Sequence, residues 1–411
     1  MVPDGWKIQK VSECLERVVD SVLPEPNSMY REIGIRSHAK GIFHKEPVTG
    51  NSLGNKRVFN VHPNCFVVNI VFAWEQAIAM TSDDEVGMIA SHRFPMFKPK
   101  KNRCDIKYIT YFFKTPRGKY LLELASPGGA GRNKTLGQNE FARVEIPLPP
   151  TDEQKKIARI LSTWDRAIEV TEKLLNNSQQ QKKALMQQLL TGKKRLPGFS
   201  GEWIQLKVGD ILSVRNEKQI PSETTPLFSL TIENGITAKT ERYNREFLVK
   251  NSDEKEYKIV KPSDIAYNPA NLRWGAINYS RLTHDVVVSP IYEILYVKDI
   301  TLNNLHFIAQ VLMSHRQIAK FAAMVEGTLM ERKAVKIQPF LATKISIPSE
   351  LEEQQTIASV LSAADKEIEI LEQKLGCLRQ EKKALMQQLL TGKRRVKIDE
   401  EEVLVKEAVR A

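Results

Sequence analysis

The sequence predicts an α+β fold: two mixed α/β lobes, each followed by a long helix, with the two helices paired as an antiparallel coiled coil and the halves related by an internal pseudo-two-fold repeat. Three observations predict it. The string Lys-Lys-Ala-Leu-Met-Gln-Gln-Leu-Leu-Thr-Gly-Lys at 182–193 returns letter for letter at 382–393, an offset of 200. Apolar residues recur every 3.5 positions through the segments that end in those strings, the spacing of a helix seam. The segments before them hold short β-branched or aromatic runs, 65–72 and 108–113 in the first half and 286–288 and 291–297 in the second, separated by turn-rich punctuation.

The first lobe spans 1–150 and the first helix with its linker 151–198; the second lobe spans 199–349, the second helix 350–395, and an acidic tail 396–411. Each helix has explicit punctuation. Thr151-Asp-Glu-Gln154 follows Pro149-Pro150 and Ser349-Glu-Leu-Glu352 follows Pro348, both in the form of a capping box, and Thr-Gly at 191–192 and 391–392 supplies a stop. Only Gly376 interrupts the second copy. Some forty residues give about 60 Å of helix.

Stepping by four and three from Ile157 gives Leu161, Trp164, Ile168, Thr171, Leu175, Ser178, Lys182, Leu185 and Leu189. The second copy gives Ile357, Leu361, Ala364, Ile368, Leu371, Leu375, Leu378, Lys382, Leu385 and Leu389. Large Trp164 against small Ala364 suggests helices packed on one another within one chain, and self-association would also fit. The lobes are related more distantly: Trp6 aligns with Trp203, Trp74 with Trp274, 89–94 with 287–292, and Arg132 with Arg332.

Composition narrows the function classes. Sixty-one Lys and Arg against 49 Asp and Glu give a formal charge of +12, compatible with a polyanionic partner. The surplus is concentrated: 1–150 carries 21 basic and 15 acidic residues, and 151–198 carries 10 and 5. No run approaches the roughly 20 apolar residues a bilayer requires, and the start lacks a signal-peptide pattern, so a cytoplasmic protein with no membrane partner is expected. Cys14, Cys65, Cys104 and Cys377 are scattered without a CxxC pair, and His38 and His44 lack HExxH spacing, so no metal site is expected.

Catalytic motifs fail on their spacing. In Gly128-Gly-Ala-Gly-Arg-Asn-Lys134-Thr135 the residue before the lysine is Asn133, where a phosphate loop needs glycine. Asn268-Pro-Ala-Asn271 is similar to the Asn-Pro-Pro-Tyr motif of amino-methyltransferases but lacks its aromatic residue, and no S-adenosylmethionine loop accompanies it. The carboxylate and lysine pairs Glu372/Lys374 and Glu381/Lys382 lie on the second helix and suit a solvated face. A non-catalytic chain that binds and positions is the reading of these residues.

Two divergent lobes, each followed by a near-identical helix, resemble the specificity subunit of a type I restriction-modification system from about Gly5 to Arg395. The most specific marks are the runs 146–154 and 347–354 that open the helices, the twin Ala-Leu-Met-Gln-Gln-Leu-Leu-Thr-Gly-Lys exits, and the run 194–199 leading to Trp203. The resemblance implies two target-recognition domains, each reading one half of a split, asymmetric site on double-stranded DNA. It also implies a helical spacer that docks two methylation subunits, with S-adenosylmethionine held in those partners, none in this chain, and room for restriction subunits. The pseudo-two-fold suits DNA, and half-site centres roughly one helical turn, about 34 Å, apart are expected.

General rules of readout nominate basic and small polar residues. In lobe one these are Arg93, Lys98, Lys100, Lys101, Arg103, Lys114, Arg117, Lys119, Arg132 and Lys134; in lobe two, Arg242, Arg245, Asn271, Arg273, Arg332 and Lys333. Gln187, Gln188, Gln387 and Gln388 form neutral polar faces suited to a partner subunit. Two other readings stay open: an orphan DNA-binding or regulatory protein of this architecture, which fits every residue equally well, and a structural coiled-coil protein, which explains the helices but not the two lobes.

Overall fold

The computed structural model describes residues 2–129, 134–232, 234–238, 255–325 and 334–397. The chain forms two compact units, Met1–Glu172 with Gln373–Ala411, and Lys173–Glu372. Both units cut through the long helices, so neither coincides with one lobe plus the helix that follows it in sequence.

Unit one contains β1 (Lys7–Lys10), β2 (Leu15–Val18), β3 (Phe66–Val68), β4 (Ile78–Met80), β5 (Met96–Pro99), α1 (Ile106–Phe113), α2 (Pro116–Leu124) and β6 (Glu145–Leu148), followed by α3 (Thr151–Leu189), which begins here. A four-stranded antiparallel sheet has the order β4-β3-β5-β2, and β1 pairs with β6. Helix α1 is apolar almost throughout, and its N-terminus is capped by Asp105, whose carboxylate accepts from the Tyr108 amide at 2.9 Å. Thr115 caps α2, with Pro116 in the first turn, where a missing N–H costs nothing. Phe66, Phe113 and Phe141 stack at ring separations of 5.3–6.1 Å in the core.

Unit two repeats the plan. It holds β7 (Trp203–Lys207), β8 (Leu212–Arg215), β9 (Ile265–Tyr267), β10 (Ile277–Tyr279), β11 (Glu293–Val297), α4 (Leu305–Met313), α5 (His315–Ala323), β12 (Lys344–Pro348) and the start of α6 (Leu351–Leu389). The sheet order β10-β9-β11-β8 and the β7–β12 pair reproduce those of unit one. Asn304 caps α4 and Ser314 caps α5.

The repeated exits show how each unit closes. Leu389 and Leu390, at the end of α6, lie in the core of unit one with Ile157 and Leu161, while Leu189 and Leu190, at the end of α3, lie in the core of unit two with Ile357 and Leu361. Each buried leucine contributes about 1.5–3 kcal/mol. Gly392 (φ +70°) then turns the chain against Pro3 and Trp6, as Gly192 (φ +68°) turns it against Trp203; a β-carbon at either would crowd the indole. Arg395 donates both Nε and Nη2 to the buried Glu153 at 2.7 Å, and Arg195 does the same to Glu353 at 2.5 and 2.6 Å. Each lobe is thus completed by the exit of the other repeat.

The helices run antiparallel within each unit. In unit one Lys382 pairs with Asp165, and Arg379 reaches Glu172 at 2.7 Å. In unit two Ser178 donates to Glu367 at 3.0 Å, and Lys182 pairs with Asp365. Every seam position from Ile157 to Leu189 and from Ile357 to Leu389 is buried or half-buried. The lysines in that seam are explained by their aspartates.

Four expectations are corrected. Trp164 and Ala364 do not oppose each other: Asp165, next to Trp164, pairs with Lys382, and Asp365, next to Ala364, pairs with Lys182. Gly376 does not interrupt α6, which is continuous, and open space surrounds the position where its side chain would be. The capping boxes are replaced by a different device. Gln154 accepts from the Asp105 amide at 2.8 Å and donates to the Pro149 carbonyl at 2.8 Å; Gln354 accepts from Asn304 at 2.8 Å and donates to Pro348 at 3.0 Å, so each glutamine ties the helix to its lobe. Finally, the offset of 200 holds through the helices and their exits to Arg195 and Arg395 but not in the lobes. The acidic tail from Asp399 to Glu402 lies outside the described residues.

Candidate nucleic-acid interface

The two lobes share a loop built to present side chains at the end of a central strand. In lobe one, Asn69 follows β3 and its side-chain oxygen accepts from the Val71 amide at 3.1 Å; a short 3₁₀ turn, Ala73–Glu75, then ends at Gln76 in the left-handed region. In lobe two, Asn268 follows β9 and accepts from Ala270 at 3.1 Å; the turn Leu272–Trp274 ends at Gly275 (φ +96°). The backbone bonds Asn69 to Ala77 and Asn268 to Ala276 set the offset here at 199. Trp74 therefore corresponds to Arg273 and Glu75 to Trp274, which corrects the alignment of the two tryptophans. The loop that is similar to a methyltransferase motif is an Asx turn that occurs in both lobes.

Each loop carries an aromatic ring and a cation. Trp74 donates its indole N–H to the Val71 carbonyl at 3.1 Å, and the Lys134 ammonium lies 5.8 Å from its ring. Lys134 also binds Glu123 at 2.6 Å and holds that carboxyl below the usual range. In lobe two the Arg273 guanidinium sits 4.0 Å above the Trp274 ring, which is 59% exposed. The second strand of each loop comes from the same place: Ile70 accepts from Leu136, and Pro269 from Val335. Arg93 joins the lobe-one cluster, because its carbonyl accepts from the Ile70 amide at 3.0 Å.

The basic run 91–103 is thereby divided. Arg93 stays with the loop, while Lys98 binds Glu16 at 3.1 Å along β5 and Lys100 donates to the Ser12 carbonyl at 2.7 Å. Lys101 and Arg103 are exposed at the following turn, and Arg103 lines a recess with Thr151 at the start of α3. Arg117 and Lys119 are exposed on α2, and Asn271 is half-buried. Lys114 departs from its expected place on an exposed basic surface. Its ammonium packs 5.5 Å from the Tyr111 ring beside Asp165, and burial pulls its pKa down. Arg132, Arg242, Arg245, Arg332 and Lys333 lie outside the described residues. Gln187, Gln188, Gln387 and Gln388 are exposed.

Sequence reasoning missed the ring of Trp274 as a candidate contact; an aromatic side chain adjacent to arginine in a turn was the signal available. The cysteines offer no reactive group in the cores: burial pushes the thiols of Cys14 and Cys104 up to about 11 and about 12, and Cys65 is also raised. Among the described residues no cluster of three metal-ligating side chains exists, and no helix is long and apolar enough to cross a membrane.

The model of the type I restriction modification DNA specificity domain matches residues 46–178 and 201–379. The chain belongs to this family. A putative type I restriction enzyme MjaX specificity subunit of Methanocaldococcus jannaschii is 25% identical, covering 96% of this chain and 95% of its own. The MjaVIII specificity subunit of the same organism is 24% identical, covering 96% and 94%. Among solved structures, the HsdS subunit of Thermoanaerobacter tengcongensis aligns over 95% of this chain and 98% of its own with TM-score 0.50 and 17% identity. The type I S subunit of M. genitalium aligns over 94% and 96% with TM-score 0.60 and 13% identity. The chain is a type I restriction-modification specificity subunit, the DNA target-recognition component. Each matched segment takes in most of one lobe and the first part of the helix that follows it, and the Asn-anchored loops occupy the same place in both lobes.

Proposed function

We propose that each specificity domain reads one half of a split, asymmetric DNA site and that the paired helices dock two methylation subunits. One observation carries the first part: the two lobes keep one framework and one presenting loop while the side chains on that loop differ, Trp74 with Lys134 in one and Arg273 with Trp274 in the other. A common framework holds both loops in a DNA-reading geometry, and different side chains select different bases. The exits of α3 and α6 are identical, so each unit offers the same exposed glutamine face, a repeated surface suited to two copies of one partner. Chemistry on the base then belongs to those partners, which bind S-adenosylmethionine, and this chain binds without catalysing. Restriction subunits join the same assembly, and the site of action is the cytoplasm, where the DNA lies.

Footprinting of the chain with its methylation subunits tests the reading. Two protected half-sites separated by an unread spacer, with two methylation subunits per chain by native mass measurement, are expected. A single uninterrupted footprint, or one partner per chain at saturation, contradicts it.

A further inference from the structure

Unit two contains a groove of about 630 Å³ between the exit of α3, the start of α5 and strand β12. Its lining holds Arg316, Lys320 and Lys344 from the lobe, and Lys183 and Lys193 from the helix exit, without any Asp or Glu. Lys182 also lines it but is neutralised by Asp365. Lys183, Lys193 and Arg316 have no carboxylate partner among the described residues. The nine-residue α5 begins here, capped by Ser314, so its first amides and the positive end of its dipole add to the field. Gln317 makes the site specific: it is 4% exposed, lines the groove, and its side-chain N–H₂ has no hydrogen-bond partner. An unpaired buried amide is destabilising, a penalty that a bound acceptor removes.

We propose that this groove binds a nucleoside di- or triphosphate, with phosphate oxygens at the start of α5 accepting from Gln317. The volume falls in the range of small-molecule sites, about 300–1,000 Å³. Met186, Leu190, Val311 and Ile345 form an apolar wall that suits the base. Duplex DNA matches this shape poorly, because its phosphates track along open surfaces and would leave that wall uncovered.

The corresponding positions in unit one are unsuited to the same ligand. Pro116 stands where His315 does and removes an amide, Gly118 replaces Gln317, Leu121 replaces Lys320, and Glu145 replaces Lys344. A β-carbon on Gly118 would lie 2.4 Å from the Phe112 carbonyl, so no side chain fits there. Of the lobe's cations only Arg117 is kept, opposite Arg316 in the alignment, while the helix-exit Lys183 and Lys193 recur as Lys383 and Lys393. One site per chain follows.

Fluorescence titration of the full-length chain with a methylanthraniloyl derivative of ATP tests this. Saturable binding of one probe per chain is expected, weakened at least tenfold by Arg316→Ala and by Gln317→Leu, unchanged by Arg117→Ala, and competed by ATP more strongly than by inorganic tripolyphosphate. The exposed-side variant Lys193→Ala, which leaves the core untouched, should weaken binding several-fold if the groove is the site. Absence of saturable binding overturns the proposal, as does equal loss with Arg117→Ala. Equal competition by tripolyphosphate removes the nucleoside from it. Displacement of the probe by a short duplex, with Arg316→Ala weakening duplex and probe alike, assigns the groove to DNA phosphate instead.

Discussion

The two units share a sheet order, a loop anchored by asparagine, a glutamine that ties helix to lobe and an arginine that closes on a buried glutamate, yet the side chains on that loop and beside the helix exits differ. Lobe one presents Trp74 beside Lys134, whereas lobe two presents an exposed Trp274 under Arg273. Beside the helix exits, Pro116, Gly118 and Glu145 in one unit stand where the other has His315, Gln317 and Lys344. The repeat thus maintains the scaffold and the exposed glutamine faces, while the side chains on the presenting loops diverge.

The strongest test of the shared frame is the arginine closure. Replacing Arg195 with Met leaves Glu353 buried and unpaired, and should cost about 3 kcal/mol. Arg395→Met should act on unit one in the same direction but less, because the Arg395 side chain is 43% exposed against 26% for Arg195. Hydrogen exchange reads the two units separately and checks both the size and the location of each loss. Equal loss in both units from either variant would break the comparison.

The divergent loops give the next effect. Trp274→Ala should weaken duplex binding by about 1–3 kcal/mol if its ring stacks on a base, roughly ten- to hundredfold, and should relax sequence preference in one half-site only. Titration against duplexes altered in either half-site would show it. The smallest effect concerns Lys114. Because burial lowers its pKa, its charged form costs stability at neutral pH, and that cost fades as pH rises through the folded-state pKa. Lys114→Met should therefore leave thermal stability unchanged or slightly higher and DNA affinity unaltered, which differential scanning calorimetry and a binding assay would establish.

Much of the architecture was legible because it was written twice. The exits, the seam and the Glu-Gln pairs at 153–154 and 353–354 stand at a fixed offset, and repetition marks them without any knowledge of packing. Identity also concealed something. Since both exits are the same string, nothing in the letters tells which lobe Leu389 and Leu390 complete, and only long-range contacts decide it. The tryptophan alignment failed for a local reason: one residue is lost from the offset within the lobes, and backbone hydrogen bonds rather than letter matches set the register. Lys114 and Lys134 read alike as surface cations, yet one is half-buried against Tyr111 and the other lies by Trp74. Charge alone carries no direction.

On the proposed function, two diverged readers sit on one duplicated frame. Methylation-sensitive sequencing of random-sequence DNA exposed to this chain and its methylation subunit tests it most directly, run in parallel with the Trp274→Ala variant. A bipartite motif with two different halves around a fixed unread spacer is expected, in which the variant relaxes one half and spares the other. A continuous motif, a palindrome with identical halves, or a variant that relaxes both halves equally would contradict it.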